Sequence, residues 1–195
     1  SKRNSHNLLF ALGALALFLI IMYLRLPHSH SIPPGLGSRA EVKVVATYPH
    51  DTAAFTEGLV YADGYFYESA GLYAQSSLRK VEPGTGKVVQ ELKLDNKYFA
   101  EGLTLYADQL YQLTWKEHTG FIYDKSLTLQ STFTYPTEGW GLTTDGSSLI
   151  LSDGSATLYF LDPQSLQTTR TVQVTQAGQP VRQLNELEYV RGEVY

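Results

Sequence analysis

The chain has 195 residues, no cysteine and a formal net charge of −4, from 15 basic and 19 acidic residues. Hydrophobic residues make up 43% of it, which is ordinary for a globular protein and excludes wholesale disorder and collagen-like structure. The acidic balance argues against a nucleic-acid-binding protein. The lack of cysteine excludes disulfides, thiolate catalysis and Cys-ligated metal sites from this stretch.

The charge is unevenly distributed along the chain. Residues 1–31 hold three basic residues and no acid, so the remainder carries a charge of −7. Within this first part, the 17 residues from Leu8 to Leu24 are all uncharged, and Pro27 follows. About 17–25 such residues are enough to cross a bilayer as a helix. We therefore predict a short cytoplasmic tail at residues 1–7 and a transmembrane signal anchor at residues 8–26.

Two alternatives to an anchor are a cleavable signal peptide and a buried soluble helix. A cleavable signal peptide has a shorter apolar core and a small-residue cleavage site, and the sequence after Arg25 offers no clear site of that kind; cleavage would make the protein secreted. A buried soluble helix would be apolar on one face rather than on all. Because Lys2 and Arg3 precede the run and only Arg25 follows it, the positive-inside rule places the remainder of the chain in the lumen or outside the cytoplasm.

Residues 27–41 are rich in proline and glycine, which predicts a linker. Its His28 and His30 form a His-x-His pair, but in a flexible linker solvated side chains are the simpler interpretation. The linker separates the membrane segment from residues 42–195.

Short runs of alternating polar and apolar residues, separated by Gly, Asp, Asn or Pro, follow from residue 42 onward. E-V-K-V-V-A-T-Y (41–48), Y-F-Y-E-S (65–69), V-V-Q-E-L-K-L (88–94), T-L-Y-F-L (157–161) and T-V-Q-V (171–174) each read as a β-strand. No stretch after residue 42 has a helical period. The fold class predicted is all-β.

These strands recur in a fixed order. The motifs F-T-E-G-L, F-A-E-G-L, G-W-G-L and L-N-E-L end on signature leucines 44, 39 and 45 residues apart: Leu59, Leu103, Leu142 and Leu187. A repeat of about 40–45 residues with four strands is typical of a β-propeller. Residues 42–195 amount to about three and a half such repeats, whereas propellers close with about 4–8 blades. We therefore interpret the chain as a fragment of a longer protein, truncated at its C-terminus.

Several carboxylates stand in or beside these motifs: Glu57, Glu101, Glu138 and Glu186. The innermost strands of successive blades converge on the axis of a propeller, so we expect these acids to meet in one region. Like charges away from water raise one another's pKa or require a cation. Neighbouring glycines fit crowded backbone near the axis: Gly58, Gly102, Gly139 and Gly141. The structural alternative is that all of these residues only serve blade packing.

Aromatic residues flank these acids, namely Phe55, Phe99, Trp115 and Trp140. They either pack in the core or form a pocket that desolvates a carboxyl group and holds an amine or amide ligand. His50 and His118 are isolated, which argues against a His-ligated metal, and no G-x-S-x-G motif supports a serine hydrolase.

Longer motifs carry a family resemblance. Y-P-H-D-T-A-A-F-T-E-G-L-V-Y (48–61), F-A-E-G-L-T-L (99–105), L-Y-Q-L-T-W (110–115), G-W-G-L-T-T-D-G (139–146) and L-N-E-L-E-Y-V-R-G-E-V-Y (184–195) closely resemble the plant and bacterial type of glutaminyl cyclase. The resemblance covers residues 45–195. It implies a five-bladed β-propeller that converts the N-terminal glutamine of peptides into pyroglutamate and releases ammonia. It also implies a monomer that needs no metal or other cofactor.

The resemblance also implies roles for individual residues. Glu101 matches the catalytic glutamate, which acts as general acid and base. Phe55, Phe99, Trp115 and Trp140 match the aromatic substrate pocket, and Asn185 matches a polar substrate-binding position. We also expect Glu57 to be a substrate-binding residue, but its position departs from the family pattern, because it stands where glutamine is expected, in F-T-E-G-L instead of F-T-Q-G-L. An acid beside Glu101 would alter the pKa of both groups, the preference between glutamine and glutamate substrates, or the activity.

Two other functions remain open at this point. One is a calcium-dependent propeller hydrolase of the lactonase kind, which would use axial Glu and Asn residues as ligands. The other is a non-catalytic propeller that displays a binding face. Whichever holds, we expect the isolated 195-residue piece to be inactive, because a propeller with open edges lacks its remaining blades.

Overall fold

The computed structural model describes residues 43–195, and every regular element among them is a β-strand. The prediction of an all-β fold is therefore confirmed for this part of the chain. The predicted tail, signal anchor and linker lie outside the described residues. Within residues 43–195 there is no helix long and apolar enough to cross a membrane.

Sixteen strands follow one another in the described part. Their bounds are β1 Thr56–Ala62, β2 Tyr65–Ala70, β3 Ser77–Glu82, β4 Lys87–Lys93, β5 Ala100–Tyr106, β6 Gln109–Thr114, β7 Thr119–Asp124, β8 Leu129–Thr134, β9 Leu142–Thr144, β10 Leu149–Ser152, β11 Thr157–Leu161, β12 Thr168–Gln173, β13 Thr175–Gln176, β14 Gln179–Pro180, β15 Tyr189–Val190 and β16 Glu193–Val194. The first twelve form three four-stranded antiparallel sheets, each with its strands in chain order, and β13–β14 and β15–β16 form two-stranded ribbons.

Tight turns produce this meander. The β1–β2 loop consists of Asp63 and Gly64, with φ of 50° and 83°, between the paired residues Ala62 and Tyr65. Two-residue loops with positive φ at both positions match the right-handed twist of a hairpin. Other turns depend on an aspartate whose carboxylate accepts backbone N–H groups; in the β7–β8 turn Asp124 accepts those of Ser126 and Thr128. The Ser126 hydroxyl also donates to Asp124. This bond, together with those from the two backbone N–H groups, holds the pKa of Asp124 below its ordinary value.

The core lies between successive sheets. Leu103, Leu110 and Tyr67 belong to a cluster between the first and second sheets, and Leu142, Leu149 and further side chains join a second cluster between the second and third sheets. A third cluster lies between the third sheet and the C-terminal ribbon. Complete burial of one leucine contributes about 1.5–3 kcal/mol, so stacking of the sheets stabilises the fold. Three of the four signature leucines, Leu103, Leu142 and Leu187, are buried, as packing positions should be.

The first strands of the sheets approach one another closely. A Cβ atom added to Gly58 would lie 2.5 Å from the Leu103 nitrogen, and one added to Gly102 would lie 2.6 Å from the Leu142 nitrogen. The Gly102 N–H also donates to the Trp140 carbonyl at 2.8 Å. The prediction of crowded backbone at these glycines is confirmed. Residues next to them on the chain are thereby brought together at one end of the sheets.

Buried charges fix the loop that enters β1. Glu68, only 1% exposed, contacts the His50 Nε2 atom at 2.7 Å and the Arg79 Nη1 atom at 3.4 Å. Arg79 also donates to Asp51 at 2.6 Å and keeps the pKa of that carboxyl low. Because breaking a buried ion pair leaves an uncompensated charge, this network holds residues 50–54 against the first sheet.

One predicted strand is wrong. Residues 43–48, the described part of E-V-K-V-V-A-T-Y, form no strand, although their sequence alternates. Val44 and Val45 are 49% and 54% exposed. Alternation predicts a strand only where a neighbouring strand offers hydrogen bonds, and no described strand pairs with this segment.

Candidate active site

Two carboxyl groups occupy the same place in successive sheets. Glu57 lies in β1 where the pairing with β2 shifts between Thr56 and Gly58, and Glu101 lies in β5 where the pairing with β6 shifts between Ala100 and Leu103. A β-bulge leaves a residue unpaired and redirects its side chain. The two side chains share a hydrogen bond. The acids at the two bulges therefore face one another.

Burial and neighbouring charge shift the titration of this pair. Glu101 is 7% exposed and Glu57 is half-buried. Desolvation, followed by the charges of Glu57, Glu138 and Glu117, raises the pKa of Glu101 far above its ordinary value. Desolvation also raises the pKa of Glu57, and the hydrogen bond from Glu101 partly offsets that rise. The pair therefore retains a proton at neutral pH, which Glu101 holds more tightly.

A third acid lies close by. Both carboxylate oxygens of Glu186 are buried and have no hydrogen-bond partner of normal geometry among residues 43–195. Burial raises the pKa of Glu186 well above its ordinary value, and the charges of Glu188, Glu101 and Glu57 add to this, while the Leu142 N–H offsets part of it. The predicted convergence of Glu57, Glu101 and Glu186 is thus confirmed. Counting back from the signature leucine, however, Asn185 and not Glu186 matches Glu57 and Glu101.

Aromatic residues that precede the two acids in sequence contact one another and further rings. Phe99 meets Phe55 edge to face at 6.1 Å and Trp115 at 5.6 Å between ring centroids. Tyr73 also packs on Phe99, at 5.4 Å. Edge-to-face pairs of this kind are favourable beyond their buried area. The rings form a continuous aromatic wall in which Phe55, Phe99 and Trp115 are only half-buried; their role in a substrate pocket stays a prediction.

Trp140 joins this wall through an acid that the site prediction did not include. The Glu138 Oε2 atom accepts the Nε1–H of Trp115 at 2.7 Å and that of Trp140 at 2.9 Å. A signal for this role was present in the sequence. Glu138 stands four residues before a signature leucine, where the first two repeats have Phe55 and Phe99.

Charged side chains also contact the aromatic wall. Glu117 accepts the Tyr73 hydroxyl at 2.8 Å and the Phe99 N–H at 3.3 Å, and the Lys116 ammonium lies 3.7 Å from the Trp115 ring centroid. Burial and then the contact with Glu117 raise the pKa of Tyr73 to about 12, so its hydroxyl remains a donor.

The structure positions Asn185 through its backbone. Buried Ser152 donates from Oγ to the Asn185 carbonyl at 2.7 Å and accepts the Gly141 N–H at 2.8 Å. The Asn185 side chain is exposed. The backbone at residue 185 thus abuts the same glycine-lined region as the acids. No group of three or more His, Cys, Asp or Glu side chains within residues 43–195 has the arrangement of a metal site.

Comparison with known proteins gives closely related matches. A curated glutaminyl-peptide cyclotransferase of Arabidopsis thaliana is 49% identical over 158 residues, 80% of this chain and 49% of the relative. The crystal structure of Myxococcus xanthus glutaminyl cyclase aligns with a TM-score of 0.72 at 39% identity and covers 77% of this chain and 64% of that chain. The chain thus spans about half the length of the curated relative and somewhat less than two thirds of the solved one.

A more distant structure resembles the fold alone. The WD40 domain of Neurospora crassa Pan2 has a TM-score of 0.54 at 9% identity, over 68% of this chain and 38% of that chain. WD40 domains are β-propellers, so the likeness agrees with the stacked four-stranded sheets. The family model described as glutamine cyclotransferase matches residues 17–195. With that match and the 49% identical relative, the chain belongs to the glutamine cyclotransferase family.

Proposed function

We propose that this protein converts an N-terminal glutamine of peptides or proteins into pyroglutamate and releases ammonia. The observation that carries the proposal is the burial of Glu101 in a strand beside Glu57, where desolvation and the neighbouring charge raise its pKa. The names of the Arabidopsis and Myxococcus relatives support the same reaction. Neither a lactonase-like hydrolase nor a non-catalytic propeller gains support from these comparisons.

We also infer a five-bladed propeller as the complete fold. The three four-stranded sheets are consecutive blades in this interpretation, and the residues around Asn185 begin the next. The match to 64% of the Myxococcus chain supports it. The acid pair would lie at the axis, where the first strands of blades converge.

The pocket suits both ends of an N-terminal glutamine. The α-ammonium group of the substrate is cationic. Four further carboxyl groups interact electrostatically with Glu101: those of Glu57, Glu117, Glu138 and Glu186. The wall of Phe55, Phe99, Trp115 and Trp140 would enclose the apolar stem of the side chain and exclude water. A substrate held folded back on its own side chain reaches the geometry of ring closure, which is a large part of the barrier.

The chemical step needs one proton relay. The α-ammonium group first loses a proton to solvent, and the α-amine nitrogen then attacks the γ-carboxamide carbon and forms the lactam bond. Glu101 gives its proton to the amide nitrogen, the carbon–nitrogen bond breaks and ammonia leaves. The proton that the attacking amine loses returns to Glu101, so the carboxyl group is regenerated. A carboxyl group with a raised pKa suits this double role, and Asn185 would donate a hydrogen bond to the carbonyl oxygen as negative charge develops on it.

The test measures ammonia release by the full-length protein from a Gln-initiated peptide, with and without EDTA. Turnover that chelation leaves unchanged is expected. Glu101→Gln should lower kcat about 10²–10⁴-fold, the usual contribution of a general acid–base, with unchanged circular dichroism. A Glu101→Gln enzyme of near wild-type rate would overturn the role of Glu101. Chelator-sensitive hydrolysis of a lactone, or no turnover at all, would favour the hydrolase or the binding propeller respectively.

We further propose a single-pass membrane protein whose catalytic domain lies outside the cytoplasm. The uncharged run from Leu8 to Leu24 and the bias of basic residues toward its N-terminal side support this arrangement. Carbonate extraction should leave the full-length protein in the membrane pellet; recovery in the supernatant as a shortened species would mean that a cleaved signal, and secretion, is correct.

A further inference from the structure

Glu138 occupies an unusual position between the two tryptophans of this sequence. It follows β8 and precedes β9, on a segment anchored by the Gly139 N–H, which donates to the Trp115 carbonyl at 2.9 Å, and by the Trp140 N–H, which donates to the Ser152 carbonyl at 3.0 Å. One carboxylate oxygen, Oε2, accepts both indole N–H groups. The backbone of the segment and its side chain therefore both tie the second sheet to the third.

This contact satisfies two donors at once. An indole has one N–H and no acceptor, and an N–H that is withdrawn from water without a partner is unfavourable. Bonds to a charged acceptor are stronger than neutral ones. Loss of the Glu138 carboxylate would thus free two rings together, whereas loss of one ring would leave the other hydrogen-bonded.

The repeat shows that packing alone does not require an acid here. Counting back four residues from the signature leucine gives Phe55 in the first repeat, Phe99 in the second and Glu138 in the third. Phe55 and Phe99 contact each other edge to face in the wall. The third repeat therefore replaces a ring with the acceptor that orients two other rings.

We propose that Glu138 is a positioning residue that orients Trp115 and Trp140 as one unit and so sets the width of the substrate pocket. It does not exchange protons with the substrate in this proposal. The kinetic part rests on the proposed cyclisation, but the orientation of the two rings can be tested independently of it.

The experiment labels full-length protein with 5-fluorotryptophan. Trp115→Phe and Trp140→Phe assign the two ¹⁹F resonances. Glu138→Ala should shift and broaden both, because each indole loses its acceptor, while any other tryptophan signal stays in place. Glu138→Gln keeps an amide oxygen that can accept the same N–H groups, so its two resonances should lie near the wild-type positions. Glu82→Ala, in the exposed β3–β4 turn where Glu82 accepts the Thr85 hydroxyl, is the matched control and should change neither resonance.

Kinetics give a second readout. Glu138→Ala should raise KM for the Gln-initiated peptide by about tenfold or more, with a smaller change in kcat, and Glu138→Gln should recover most of the loss. Movement of only one resonance, or of neither, would overturn the proposal, as would a Glu138→Gln enzyme as impaired as Glu138→Ala. If the wild-type protein releases no ammonia, the proposed function fails while the ¹⁹F result still decides the role of Glu138.

Discussion

Replacing Glu57 with glutamine separates the influence of charge on Glu101 from that of burial. The change removes one acid and restores the F-T-Q-G-L pattern of the resembling family. For two carboxylates in direct contact, about 4 Å between charge centres, the interaction at an effective dielectric constant of 20 is about 4 kcal/mol. Since 1.36 kcal/mol corresponds to one pKa unit, about 3 units is the upper bound for the fall in the pKa of Glu101.

The expected shift is smaller than that bound. Glu57 is only half-buried, and burial, the first cause of the raised pKa of Glu101, remains in the variant. We expect a fall of about 1–2 units after solvent screening. Glu101 must begin protonated to supply the leaving nitrogen, so activity is lost as pH rises through its pKa. The alkaline limb of kcat/KM should therefore move to lower pH in Glu57→Gln.

The assay is ammonia release from a Gln-initiated peptide between pH 5 and 11, since kcat/KM reports the groups of the free enzyme. At pH 7 Glu57→Gln should keep or exceed wild-type activity, because Glu101 still holds its proton. Glu82→Gln, a charge removed from an exposed turn, should leave the profile unchanged. An alkaline limb that stays in place or moves upward would refute the coupling of the two carboxyl groups. A large loss at pH 7 would mean that Glu57 has a catalytic role of its own.

Two further substitutions test the framework of the site. Gly102→Ala would place a Cβ atom 2.6 Å from the Leu142 nitrogen, so the free energy of unfolding in urea should fall by about 1–3 kcal/mol. The control is Gly84→Ala, whose added Cβ would have nothing within 4 Å. Equal effects of the two substitutions would contradict the close approach of β5 and β9. Ser152→Ala removes the hydroxyl that joins Gly141 to Asn185, so it should lower the free energy of unfolding by about 1–3 kcal/mol and lower kcat/KM. The control, Ser147→Ala in an exposed turn, should change neither quantity. Unchanged kinetics of Ser152→Ala would mean that Ser152 does not position the site.

The sequence predicts the repeat well because the same physics acts on each unit. T-L-Y-F-L at 157–161 coincides with β11, and Y-F-Y-E-S at 65–69 lies within β2. Alternation, turn residues and a leucine at constant phase are all local or periodic signals. The segment at 43–48 shows where they fail: its alternation is as clear as that of β2, yet a strand depends on a partner elsewhere in the chain.

The site was only partly predictable for a related reason. Acids beside the signature leucines indicate convergence, and Glu57 and Glu101 do share a hydrogen bond. The hydrogen bond that Trp115 donates to Glu138 joins residues 23 apart in two loops outside the strands, and no spacing rule within one repeat predicts it. The buried network of Glu68 and Arg79 is likewise a product of packing.

The residues at equivalent positions of the four repeats differ, and these differences make a repeating fold asymmetric. Two residues before each signature leucine the four repeats have Glu57, Glu101, Trp140 and Asn185, in order. The repeat offers an equivalent backbone position each time, and the side chains differ. The third repeat also exchanges the order of its residues: the first two have a phenylalanine and then an acid, and the third has Glu138 and then Trp140. This exchange gives both indole N–H groups one carboxylate acceptor, and it puts a tryptophan at the position where unaltered repetition would have added a third acid in line with Glu57 and Glu101.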